Sequence, residues 1–107
     1  MVDINNIKQT IITKLKPLNL NKIILFGSYA YGTPNEQSDL DICVVEDELK
    51  SKINLKRKIR NLLDDIDLSM DIIAVDTKYY LSHSDHNWLN TALYDARHKG
   101  IVLYEKN

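Results

Sequence analysis

The chain has 107 residues, 44% of them hydrophobic, which suffices for one compact core over residues 1–107 and leaves no room for a second domain. Its formal net charge is −1 with a pI near 6.3, whereas proteins that mainly grip the nucleic-acid backbone are strongly basic, so nucleic acid is not the expected primary partner. One cysteine excludes an internal disulfide, and no apolar run or signal-peptide pattern points to a membrane or to export, so we expect a cytoplasmic protein.

The first predicted elements are a helix and a buried strand. Asp3 is placed to cap the helix and Pro17 to end it. Residues 22–26 form a short apolar run between an Asn-rich turn and Gly27, which predicts a buried strand. Within the helix, apolar residues recur at helical spacing, at Ile4, Ile7, Ile11, Ile12 and Leu15.

A helical turn, a loop and a second strand follow. Ser28 opens the turn, and residues 33–38 have the polar composition of a loop. In residues 39–45 the side chains alternate, so that Leu40 and Ile42 face one side while Asp39 and Asp41 face the other. The two aspartates therefore share one face of this strand.

The second half of the chain predicts two helices and two strands. Residues 68–75 form the third strand, in which Asp71 shares a face with Ile73, and a helical turn begins near Asp76. A last helix is expected over residues 85–99 with Asp85 as cap, Gly100 suits a left-handed C-terminal position, and residues 101–104 form the final strand. A long surface helix is expected over residues 48–66, with an apolar stripe at Leu49, Ile53, Leu55, Ile59, Leu62, Leu63 and Ile66.

A phosphate-binding turn is predicted where the first strand ends. Gly27 lets the backbone turn sharply and approach a ligand closely, and the helix start beyond it presents unpaired amides. Ser28 adds a hydroxyl that can donate to the same phosphate. A Gly-Ser pair also occurs at many ordinary turns and helix caps. A phosphate-binding role for this turn is therefore supported only in combination with other predicted site residues.

Three carboxylates are the other predicted site residues. Asp39 and Asp41 on one strand face would repel each other by several kcal/mol at ~4–6 Å unless cations intervene, and Mg²⁺ prefers such oxygen ligands. The alternative is a solvated edge strand, but residues 42–45 form a buried run. Asp71 interrupts another apolar strand, and a neighbouring position would bring it beside the pair. Three converging carboxylates suit two-metal nucleotidyl transfer.

Residues 23–32, Ile-Ile-Leu-Phe-Gly-Ser-Tyr-Ala-Tyr-Gly, and 38–45, Ser-Asp-Leu-Asp-Ile-Cys-Val-Val, resemble the signature of the DNA polymerase β-like nucleotidyltransferase superfamily. More narrowly, the chain resembles the minimal nucleotidyltransferases over nearly its whole length. The resemblance implies a small α+β domain, with a mixed sheet of about four strands, helices packed on one face and the site on the open side.

The resemblance also implies roles for the site residues. Gly27 and Ser28 would bind the nucleotide, and Asp39 and Asp41 would hold two Mg²⁺ ions, with Mn²⁺ as a substitute. Asp71 would bind the catalytic ion and help to orient or deprotonate the attacking group.

The implied reaction is transfer of AMP from ATP to a hydroxyl, with loss of pyrophosphate. Minimal nucleotidyltransferases are often antitoxins that silence HEPN-domain ribonuclease toxins by adenylylating a tyrosine, and the ten residues between Ser28 and Asp39 match that group. Two alternatives stay open: an antitoxin that acts by binding alone, and a transferase that modifies a small molecule. Larger members add a domain that shapes the acceptor pocket, which a homo-oligomer could supply here.

Other patterns have simpler interpretations. His83 and His86 lie in a polar junction that is more often a helix-start loop than a metal site, and Cys43 is more often a packed residue than a nucleophile. Tyr29 and Tyr31 flank the phosphate turn and could stack on a base, receive a nucleotide or only pack. A basic surface that could contact nucleic acid or an acidic partner, or simply be solvated, comprises Lys50, Lys52, Lys56, Arg57, Lys58 and Arg60.

Overall fold

The computed structural model describes residues 3–34, 37–88 and 91–106. Within these ranges the chain forms one four-stranded sheet in the order β3-β2-β1-β4. Strands β2 and β3 are parallel, whereas β1 is antiparallel to both of its neighbours. The predicted mixed sheet and the α+β class are therefore confirmed. The strands are β1 (Lys22–Phe26), β2 (Leu40–Glu46), β3 (Met70–Asp76) and β4 (Ile101–Glu105).

Five α-helices accompany the sheet in the described ranges. They are α1 (Ile4–Leu15), α2 (Ser28–Tyr31), α3 (Lys52–Leu62), α4 (Thr77–Ser82) and α5 (Ala92–Lys99). Four of them begin at a residue whose side chain accepts a hydrogen bond from a first-turn amide, and these caps are Asp3, Ser51, Asp76 and Thr91. None of the described helices is both long and apolar enough to cross a membrane.

Helix α3 is shorter than the predicted helix over residues 48–66. It begins at Lys52, because the Ser51 hydroxyl accepts the Asn54 amide, and Leu63 already lies outside the helix. Ile53 is 69% exposed, so its place in the predicted apolar stripe is wrong, whereas Leu55 and Ile59 are buried as expected. The apolar pattern continues beyond the helix because residues after it also pack into the core.

The predicted continuous helix over residues 85–99 is also wrong. A single 3₁₀ turn covers His86–Trp88, and α5 starts only at Ala92. Asp85 accepts the Asn87 amide and so caps the short turn rather than α5. Thr91 caps α5 instead, through the amide of Tyr94.

Helices lie on both faces of the sheet, contrary to the prediction of one covered face. On the α1/α3 face, Ile11 and Ile59 pack with Leu25 and Ile42 in the larger core. The α4/α5 face also needs cover, because alternate residues of its strands are apolar. Its smaller core comprises Ile24, Phe26, Cys43, Val45, Val75, Tyr80, Leu93 and Ala96.

Gly100 adopts φ −73° and ψ 168°, an extended conformation, so its predicted left-handed role is wrong. A Cβ atom at this position would lie 2.4 Å from the Ala96 carbonyl oxygen and 2.6 Å from Ile24 Cγ2. Glycine is therefore required by the close approach of the end of α5 to β1.

Replacing Gly100 with alanine is expected to destabilise the protein by about 1–3 kcal/mol, the usual cost of overpacking. Chemical denaturation of the purified variant measures this loss as a lower midpoint. Lys99→Ala is the matched control, because this neighbouring side chain is exposed and its ion pair with Asp95 lies at the surface. An unchanged midpoint for Gly100→Ala would contradict the packing argument.

Candidate active site

Two of the three predicted carboxylates meet on the α4/α5 face. The parallel register of β2 and β3 pairs Asp41 with Asp71, so both side chains project from the same face, one strand apart. Asp39 precedes β2 and is exposed, as is Asp71, whereas Asp41 is half-buried. The expectation that Asp71 lies beside Asp41 agrees with this register.

The electrostatics of the three aspartates are coupled. Burial raises the pKa of Asp41, and the negative charges of Asp71 and then Asp39 raise it further. In the described part of the chain, no three His, Cys, Asp or Glu side chains form a ready metal-binding group. The donor set nevertheless suits a hard divalent cation, because it consists of anionic oxygens whose repulsion a cation would offset.

The glycine turn lies directly against the central carboxylate. Gly27 has φ +73° and ψ −155°, a conformation that side-chain-bearing residues rarely adopt. A Cβ atom here would lie 2.1 Å from Asp41 Oδ2, because the end of β1 pairs with β2 at Phe26 and Asp41. The predicted phosphate turn thus lies against Asp41, one of the three predicted metal ligands.

Helix α2 begins immediately after this turn, as predicted for Ser28. The amides of Ala30 and Tyr31 both donate to the Gly27 carbonyl, and these hydrogen bonds close the first turn of α2. Tyr29 is only 2% exposed and packs into the larger core, so it is not available to stack on a base. Tyr31 is half exposed, with Lys99 Nζ 6.0 Å from its ring centroid.

The structure also places the other residues singled out in the sequence. Cys43 is fully buried, and burial raises the pKa of its thiol to about 12, which confirms a packing role. His83 stacks on Tyr79 and contacts Trp88. The His86 side chain lies outside the described residues.

A cavity beside the outer edge of β3 was not predicted. It measures about 340 Å³, and Asp71 lines it together with Lys52, Lys56, Tyr79 and Trp88. The sequence signals for it are the spacing of Tyr79 with His83 and of Lys52 with Lys56, each pair one helical turn apart. A larger groove of about 650 Å³ between α1 and the segment after α3 contains none of the predicted site residues.

Residues 4–100 match a family model described as "Nucleotidyltransferase domain". The chain is also similar to two candidate protein adenylyltransferases of Methanocaldococcus jannaschii. One is 37% identical over 70 residues, which are 65% of this chain and 69% of the relative. The other is 33% identical over 76 residues, which are 71% of this chain and 82% of the relative.

Solved structures with a similar fold include chains from two toxin–antitoxin structures. One is a toxin–antitoxin with AMP-PNP, at a TM-score of 0.68 and 23% identity, over 94% of this chain and 74% of that one. The other contains a tri-AMPylated Shewanella oneidensis HEPN toxin with its MNT antitoxin, at a TM-score of 0.64 and 19% identity. That alignment covers 97% of this chain and 74% of the other.

Proposed function

Because the chain belongs to the nucleotidyltransferase domain family, we propose that it transfers AMP from ATP to a hydroxyl group of a partner protein, with release of pyrophosphate. The observation that carries this proposal is the contact of the Gly27 turn with Asp41, which pairs in register with Asp71. The predicted phosphate turn and two carboxylates on adjacent strands therefore lie together.

The proposed site residues have separate roles toward the nucleotide, the metal ions and the acceptor. Gly27 and Ser28 would bind the phosphates, and Asp39 and Asp41 would hold two Mg²⁺ ions, for which Mn²⁺ could substitute. Asp71 would be a ligand of the catalytic ion, and it would orient the acceptor hydroxyl and take up its proton. Bound divalent ions would supply charge stabilisation of the triphosphate and make the attacking hydroxyl more acidic.

The proposed acceptor is a tyrosine of a HEPN-domain toxin, which makes this chain an antitoxin. Two observations support the choice: the relatives named as candidate protein adenylyltransferases, and the fold shared with chains of toxin–antitoxin complexes, one holding an AMPylated HEPN toxin. The cytoplasm, which supplies ATP and Mg²⁺, is the proposed location.

Asp71→Asn is expected to lower AMP transfer by about 10²- to 10⁴-fold, the usual contribution of a positioned acid–base group. The test combines the chain with a HEPN-domain protein encoded beside it, ATP and Mg²⁺, and follows AMP on tyrosine by mass spectrometry. ATP binding should persist, since the phosphate turn and the other two carboxylates remain. Asp67→Asn, an exposed carboxylate outside the site, should keep full activity.

One result would favour an antitoxin that acts by binding alone. In that case the variants at Asp39, Asp41 and Asp71 would all neutralise the toxin, and the partner's mass would not change. Label found only on small-molecule acceptors would contradict the protein acceptor while keeping the transferase chemistry.

A further inference from the structure

The outer edge of β3 borders a cavity that opens beside the proposed catalytic carboxylate. Strand β3 is an edge strand of the sheet, so its outer edge has no strand partner among the described residues. The cavity of about 340 Å³, called here the β3 cavity, lies along this edge and includes Asp71 in its lining. Its volume lies within the range of ~300–1,000 Å³ typical of ligand pockets.

Three aromatic rings form one wall of the β3 cavity. The rings of Tyr79 and His83 stack, with centroids 3.8 Å apart and an interplanar angle of 3°. The ring centroids of His83 and Trp88 are 4.5 Å apart. Tyr79 remains 41% exposed and Trp88 38% exposed, so this wall is open to a partner. Such a surface favours a planar aromatic side chain, which gains from stacking as well as from burial.

The rim of the β3 cavity is basic. Lys52 and Lys56 of α3 line it, and Lys52 Nζ lies 5.2 Å from the centroid of the Tyr79 ring. Helix α3 contains no acidic residue, and in the described part of the chain its basic side chains enter no ion pair. Because the whole chain carries a net charge of −1, this positive charge is local and fits an acidic partner.

The sheet order places the β3 cavity on the side from which an acceptor must come. In phosphoryl and nucleotidyl transfer the attacking and leaving oxygens lie roughly in line, on opposite sides of the phosphorus. Gly27 follows β1, and β3 lies beyond β2 from it. If the leaving phosphates rest at Gly27, the attacking oxygen approaches from the Asp71 side.

We propose that the β3 cavity is the acceptor site, and that it takes a tyrosine within an acidic segment of the partner protein. This inference rests on the proposed function. The tyrosine ring stacks against Trp88, and flanking carboxylates contact Lys52 and Lys56. The phenol oxygen forms a bond to the α-phosphorus of ATP while the bond from that phosphorus to the bridging oxygen breaks. Pyrophosphate leaves with the electron pair, and the phenol proton passes to Asp71 and then to water.

The experiment uses two synthetic peptides, each with one tyrosine, flanked by glutamates in one and by lysines in the other. Trp88 is the only tryptophan of the chain, so its emission reports directly on occupancy of the β3 cavity. We expect the glutamate peptide to change Trp88 emission and to accept labelled AMP about tenfold or more better than the lysine peptide, in line with paired rim charges.

Charge reversal gives the decisive comparison. Lys52→Glu combined with Lys56→Glu should invert the preference between the two peptides and leave the KM for ATP unchanged. Arg57→Glu combined with Arg60→Glu makes the same charge change on exposed positions of the same helix outside the cavity lining, so it should keep the wild-type preference.

Four outcomes test this inference and separate it from the proposed function. A Lys52/Lys56 variant that still prefers the glutamate peptide, or a peptide that accepts AMP without changing Trp88 emission, would overturn the docking site while AMP transfer still upholds the proposed function. A change in Trp88 emission without AMP transfer to any hydroxyl would support the docking site and overturn the proposed function. Labelling of an RNA oligonucleotide that depends on Lys52 and Lys56 would assign the basic rim to nucleic acid and overturn the peptide proposal.

Discussion

Asp41→Asn is expected to lower AMP transfer by about 10³-fold or more, which corresponds to the several kcal/mol that metal ions contribute to charge stabilisation. Asp41 is the central carboxylate, because it contacts the Gly27 turn on one side and pairs with Asp71 on the other. The asparagine keeps the side-chain volume but removes the charge. Transfer of labelled AMP from ATP measures the loss, and Asp67→Asn serves as the surface control. Unchanged transfer and unchanged metal-dependent ATP binding would refute the assignment.

The same substitution is expected to stabilise the protein at neutral pH in the absence of divalent ions. Burial and the charges of Asp71 and Asp39 raise the pKa of Asp41 above its ordinary value of 3.8, so folding favours its protonated form. The stability contributed by this group is fully present below the ordinary pKa and is lost as the pH rises through the raised, folded-state pKa. Above that pH, wild type should unfold at lower denaturant than Asp41→Asn.

Denaturation curves at a series of pH values from about 4 to 7 check this second effect. The advantage of Asp41→Asn should grow as the pH rises, and Mg²⁺ or Mn²⁺ with ATP should stabilise wild type more than the variant. An advantage that stays constant with pH would mean that the carboxylate charge is not its cause.

The pairing of Asp41 with Asp71 could be anticipated from sequence because each strand buries alternate residues. A slip of one residue in register would turn a whole apolar set to the wrong face, so the burial pattern restricts the pairing. The contact of Gly27 with Asp41 could not be anticipated. This contact depends on the antiparallel pairing of β1 with β2, which places Phe26 opposite Asp41. The sequence pattern of either strand alone does not give the pairing.

Element boundaries and the covering of the sheet were less predictable. Ser51 and Thr91 cap α3 and α5. Apolar residues after α3 continue its helical pattern into the core, so periodicity alone overextended that helix. The apolar residues on the second face of the strands show that this face needs cover without showing which helix supplies it. The β3 cavity likewise requires three separate segments, which bring Lys52, Tyr79 and Trp88 together.

Gly27→Val is expected to abolish ATP binding and also to destabilise the protein. At φ +73° a branched side chain carries backbone strain of about 1–3 kcal/mol, and overpacking against Asp41 adds about 1–3 kcal/mol. The valine also fills the space through which phosphates would approach the backbone. Calorimetry with ATP and Mg²⁺ measures binding, and denaturation measures stability. Ser28→Ala should be milder, because it removes one hydroxyl donor from the same turn and leaves the backbone unchanged.

Gly27→Ala separates backbone strain from the clash, because its single Cβ already falls 2.1 Å from Asp41 Oδ2. In the wild-type background both terms contribute to its cost in stability. In an Asp41→Ala background the carboxylate is absent, so the cost should fall by about 1 kcal/mol or more, a coupling typical of residues in contact. The remainder then reports the strain at positive φ. Equal losses of stability in the two backgrounds would show that the turn and the carboxylate are not in contact. For Gly27→Val, a folded protein with normal ATP affinity would contradict the phosphate-binding role of this turn.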